Sequence, residues 1–289
     1  MSLVTKILIS GFILLASGQT EMHRSNHHCQ GFMPENDLWI GVDDKNAGGV
    51  SEQQFNDVLN KLESIYSPII QAKGGTLVMS KNWTDGTVNA SASRWWNSWY
   101  VNMFGGMARH RLMTSDSFAV VACHELGHHL GGIPKISGWM NSWASVEGEA
   151  DYFATLKCLR KLFADEDNES VVNNMEVKPL VKESCEHQHT DRALQLICIR
   201  SAMASEPLAQ LLAELRGDGV PDFSTPDGSK ASRTVQSHPP AQCRLDTYFN
   251  ASVCTADSNQ DLSDSELYVG ACKSDVQPSG ARPLCWFAP

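Results

Sequence analysis

The sequence is short of positive charge: Lys and Arg number 23 against 33 Asp and Glu, for a formal net charge of −10 at pH 7. No stretch gathers the basic residues into a stripe that could neutralise phosphates, which excludes nucleic acid as a partner. Internal repeats, low-complexity runs and sustained heptads are also absent. With 42% hydrophobic and 19% charged residues over 289 positions, the chain is neither disordered nor a coiled coil and can bury a substantial core. No segment after residue 18 stays apolar for the roughly 20 residues that cross a bilayer, so stable membrane insertion is not expected.

The one long apolar stretch is N-terminal. Lys6 precedes the apolar residues 7–16, and Ala16-Ser17-Gly18 offers the small residues of a cleavage site. That is the pattern of a secretory signal over residues 1–18, and the expected location is secreted or periplasmic. Nine cysteines, at positions 29, 123, 158, 185, 198, 243, 254, 272 and 285, agree with an oxidising compartment. An odd number leaves one over. Cys123, inside an apolar helical run, is expected to be the buried free thiol, with the other eight in four disulfides and Cys272 paired to Cys285.

Residues 19–36 carry His23, His27, His28 and Cys29 in a polar setting and read as a solvated tail. A short strand is expected over 38–42. Ser51 with Gln54 three residues on forms a capping box for a helix with Phe55, Val58, Leu59, Leu62 and Ile65 on one face, ending at Pro68. Strand signals occupy 76–79, 87–96 and 99–111. Thr114 or Ser115 caps a helix that runs to Leu130 and stops at Gly131-Gly132. A further helix is expected over 145–163, then helices from Asp191 and over 208–215, and a polar loop over 217–237. The fold class is α+β.

Within the capped helix the chain reads His124-Glu125-Leu126-Gly127-His128, an H-E-x-x-H pattern. Residues i and i+4 of a helix share a face, so both imidazoles can reach one Zn2+ while Glu125 serves a water as base. A third ligand is needed. A metzincin would place a histidine at position 134, which is Pro134. The other solution is a carboxylate from a second helix, and Glu147-Gly148-Glu149-Ala150-Asp151 opens the next one. Glu147 is the expected ligand, with Glu149 and a merely solvated acidic face as the alternatives. Asp151, one turn after Glu147, can hold a ligand histidine in its tautomer. His129 lies off the metal face, and Asp257, Asn259 and Asp261 make a poor calcium loop because Leu262 and Tyr268 stand where glycine and glutamate are required.

His124 to His128 followed by E-x-x-A-D, and then by Ser237-His238-Pro239-Pro240 with Arg244, resembles the gluzincin family of the CAAX prenyl protease and the heat-shock protease HtpX. A weaker block, Val88-Asn89-Ala90, is similar to the family segment that borders the cleft. The resemblance spans roughly 87–245 and implies a zincin-like metallopeptidase domain, placed here at 37–245. A cysteine-rich extension at 246–289 lies outside the family pattern, and the family's usual membrane helices are missing. The implied chemistry is zinc-dependent endopeptidase activity on a peptide or protein substrate. One catalytic Zn2+ sits on His124, His128 and Glu147, with Glu125 as the acid–base group. His238 would stabilise the oxyanion without binding zinc, the bland alternative being a surface histidine, and Arg244 would buttress its loop through the second helix. A strand over 107–112 would pair with substrate. The alternative is an exported, disulfide-stabilised zinc-binding protein without turnover.

Overall fold

A computed structural model describes residues 31–45, 47–138 and 142–289. The expected signal sequence, the three N-terminal histidines and Cys29 lie outside the described residues. Ser51 and Gln54 exchange side-chain and backbone hydrogen bonds and open α1 (Glu52–Ala72). Contrary to expectation, Pro68 does not end this helix. The apolar stripe of Phe55, Leu59, Leu62, Tyr66 and Ile70 runs past the proline into the core, and its burial outweighs the ~3 kcal/mol that a helix-interior proline costs.

Three strands follow: β1 (Thr76–Asn82), β2 (Ala90–Trp95) and β3 (Ser98–Phe104). β3 is central, parallel to β1 with Thr76 opposite Ser98, and antiparallel to β2 with Ala90 opposite Met103. Alternate residues Leu77, Met79, Trp99, Val101 and Met103 turn into the core. The strand expected over 99–111 stops at Phe104, because Gly105–Arg109 forms a short helix, α2. Its buried Arg109 donates to the carbonyls of Ile40, Trp83 and Asp85, a set of long-range partners invisible to a local pattern. Residues 107–112 therefore offer no strand to a substrate. The segment 38–42 is reduced to a single bridge between Trp39 and Thr87.

Thr114 accepts the Ser117 N–H at 3.1 Å and caps α3 (Ser115–Leu130). After a connecting loop, α4 (Glu147–Phe153) runs through a π turn (Ala154–Cys158) into α5 (Leu159–Phe163). Two small helices, α6 (Asn168–Asn173) and α7 (Pro179–Gln188), lead to α8 (Arg192–Arg216). α8 is one helix that passes through Pro207 rather than two. The polar loop ends at α9 (Ala241–Val253), so the boundary drawn at 245/246 falls inside a helix.

Four disulfides join Cys123 to Cys158, Cys185 to Cys198, Cys243 to Cys285 and Cys254 to Cys272. Cys123 is thus not free, and Cys272 and Cys285 have different partners from those expected. Burial of Cys123 is complete, but an apolar helical run is equally compatible with a buried thiol and a buried bridge. The C-terminal residues pack against the helices. Glu149 on α4 makes a buried two-point ion pair with Arg282, Tyr152 donates to the Gly280 carbonyl at 2.6 Å, and the indole of the fully buried Trp286 donates to Thr247 Oγ1. Phe32 and Met33, expected in a solvated tail, are buried as well.

Candidate metal centre

α3 presents His124 and His128 one turn apart, and both are fully buried. Gly127 lies between them in sequence because the second helix leaves it no room: a Cβ there would meet the Ala150 backbone at 2.7 to 2.8 Å. This close crossing brings Glu147 to the two rings. Glu147 Oε2 lies 3.2 Å from His124 Nε2, and Oε1 lies 3.7 Å from His128 Nε2, neither aligned as a hydrogen bond.

Each imidazole is held through its other nitrogen. His128 Nδ1 is 2.8 Å from the Ser145 carbonyl, an acceptor only, so the proton sits on Nδ1 and the Nε2 lone pair is free. His124 Nδ1 donates in the same way to Asp151 Oδ1 at 2.7 Å. Asp151 is fixed in turn by α9, where Arg244 grips both its oxygens at 2.7 Å and Tyr248, one turn on, donates to Oδ1. Arg244 also donates to the Phe32 carbonyl at 2.8 Å. Pro239 and Pro240 stiffen the entry to α9, and His238 just before them places Nε2 3.5 Å from Glu147 Oε2, where it donates to the Gly31 carbonyl at 2.7 Å.

No family model, curated protein or solved structure matches the chain. The site stands on its own geometry. His124 Nε2, His128 Nε2, both oxygens of Glu147 and both oxygens of Glu125 are buried without a hydrogen-bond partner. A buried polar atom left unpaired costs on the order of 1–3 kcal/mol, and six in one place call for a ligand. The ligand-capable atoms of His124, His128 and Glu147 lie within 4.8 Å of one another, as atoms around one cation must. Two neutral imidazoles and a carboxylate are the donor set of a catalytic zinc site with a position to spare.

The electrostatics point the same way. Burial drives the Glu125 carboxyl up to about 8, with Glu147 and Asp151 adding to it against His124 and Arg244. Burial works against charge on His124, but Asp151 and Glu147 more than reverse it and lift the ring to about 9. Glu125, Glu147 and Asp151 face one guanidinium, and both shifts have protons on Glu125 and His124 making up the balance, the two positive charges that a divalent cation would supply in their place.

Other polar groups are spoken for. Glu149 faces Arg282 instead of the cluster. His129 is buried between the indoles of Trp99 and Trp143 and bonds the Tyr100 carbonyl, tying the end of α3 to the sheet. The side chains of Asn259 and Asp261 are engaged by Lys161 and Lys73, the Asp257 carboxylate accepts the Asn259 N–H, and Lys157 donates to the Asp257 main-chain carbonyl. Asp227 with Cys243 and Cys285 also forms a close group, but both sulfurs are in a disulfide. Sequence alone carried no sign of Tyr248 or of the Ser145 carbonyl. A tyrosine one turn after Arg244 was the available hint, since i and i+4 share a helix face.

Proposed function

We propose that the chain is an exported zinc-dependent endopeptidase with a zincin-like catalytic domain, a soluble relative of the gluzincin family of the CAAX prenyl protease and HtpX. The observation that carries this is the convergence of unpartnered His124, His128 and Glu147 atoms beside an equally unpartnered Glu125. His124, His128 and Glu147 would hold the zinc, which would supply a Lewis acid for the scissile carbonyl and its attacking water. Glu125 takes the proton of that water and hands it to the leaving amine. Asp151 and the Ser145 carbonyl keep both imidazoles in the tautomer that leaves Nε2 free. His238 donates from Nε2 to a peptide carbonyl oxygen, the contact it makes with Gly31, and would donate to the oxyanion. β2 is an edge strand, and it replaces residues 107–112 as the element that pairs with an extended substrate.

Metal analysis of the mature protein together with a peptide-library digest tests this. One zinc per chain and chelator-sensitive cleavage are expected. Zinc without cleavage would leave the non-catalytic zinc-binding protein, and no zinc would overturn both readings. His238→Ala should lower turnover by about 10²-fold, the size seen on removing one oxyanion donor, with zinc content unchanged. Loss of zinc in that variant would make His238 a ligand instead.

A further inference from the structure

Residues 31–33 lie across the candidate site in the manner of a bound peptide. The Phe32 N–H donates to the Ala90 carbonyl at the start of edge strand β2, at 3.0 Å. The Asn89 side chain accepts the Met33 N–H at 3.0 Å and donates to the Met33 carbonyl at 3.2 Å, so both polar groups of that residue are read. The Gly31 carbonyl accepts a hydrogen bond from His238 Nε2, and the Phe32 carbonyl accepts one from Arg244. The Phe32 ring stands edge-on to His124, with centroids 5.1 Å apart, and the Arg244 guanidinium lies 4.5 Å from its centre. Phe32 is 0% exposed.

Two features make this more than a packed strand. The carbonyls of residues 31 and 32 engage the histidine and arginine of the 237–244 block, the side of the site that faces the metal ligands. While His238 Nε2 donates to Gly31, that proton is not offered to a substrate. Residue 31 must also be small, because a Cβ on Gly31 would meet the Ala90 carbonyl oxygen at 2.6 Å and the Asn89 amide at 2.8 to 2.9 Å. The groups around the site thus accept a peptide with a small residue followed by an apolar aromatic one, and the chain supplies such a segment itself.

We infer that residues 31–33 occupy the substrate position in cis, as a self-blocking segment that must leave before the site accepts another peptide. This rests on the peptidase reading for its catalytic readout, but the occupancy can be tested apart from it. Gly31→Ala and Phe32→Ala weaken the segment's hold from within the segment itself and leave Asn89, His238, Arg244 and the metal ligands in place to receive the probe. Each variant, with the wild type, is titrated with a fluorescent peptide of the sequence Gly-Phe-Met-Pro-Glu-Asn (residues 31–36), and its hydrolysis of a library-derived substrate is followed.

Both variants should bind the labelled peptide at least about tenfold more tightly than the wild type and cleave substrate about tenfold faster, the shift expected when the closed form loses a factor of about ten in its own population while the site keeps its contacts to the probe. Peptide binding by the variants without cleavage in any form would refute the peptidase reading and leave the occupancy standing. The occupancy is overturned if the wild type binds the peptide as tightly as the variants. It is equally overturned if the variants melt at lower temperature and gain neither binding nor cleavage, which would make residues 31–33 part of the scaffold alone.

Discussion

Glu125→Gln is expected to retain one zinc per chain and to lose about 10³-fold or more of its peptide hydrolysis. The substitution keeps the shape of the side chain and leaves His124, His128 and Glu147 untouched, so metal content should not change. What it removes is the group able to accept a proton from water and return it to the amine, a role worth about 10²–10⁴-fold in rate. Both Glu125 oxygens are buried and unpartnered, so no neighbour stands ready to take over. Zinc content is read by atomic absorption and rate by a fluorogenic peptide drawn from the library digest. Equal rates in the two proteins would sink the peptidase reading, and joint loss of zinc and rate would place Glu125 among the ligands.

Arg244→Met is expected to destabilise the fold by about 3–5 kcal/mol, the range for removing one partner of a buried ion pair. Arg244 and Asp151 are both fully buried, and the guanidinium meets both carboxylate oxygens. Methionine fills similar space but leaves Asp151 charged with only His124 and Tyr248 to hold it, and strips the Phe32 carbonyl of its donor. Urea unfolding of the zinc-loaded protein measures the loss. Arg244→Lys keeps the charge but not the planar fork, so it should recover only part of the difference. A loss below about 1 kcal/mol would show that Asp151 is neutralised by other means.

What the sequence disclosed and what it hid follow one physical division. The H-E-x-x-H helix, its Thr114 cap and the acidic start of α4 are legible because their signals are local: a 3.6-residue period and a capping side chain. Partners across the fold were not legible. Nothing about Cys123 tells that Cys158 will face it, since both readings need only an apolar helix face. Nothing in residues 19–36 separates Phe32 and Met33 from a polar tail, because their burial depends on Asn89, His238 and Arg244, up to 212 positions away. Likewise Arg282 marks the C-terminal residues as part of the main body only once Glu149 is found beside it.

The bridge between Cys123 and Cys158 closes a ring of chain whose ends are 35 residues apart, and His124, Glu125, His128, Glu147 and Asp151 all lie inside it. Joining a random coil at those points removes disorder equivalent to about 4 kcal/mol at 25 °C in the chain-entropy treatment. The effect is felt by the unfolded protein, where the two imidazoles and the Glu147 carboxylate stay confined to one small loop. Their effective concentration for one another is set by that loop and not by the whole coil. During folding these groups meet as neighbours on a short tether, while His238, Arg244 and Tyr248 have to arrive from elsewhere in the chain.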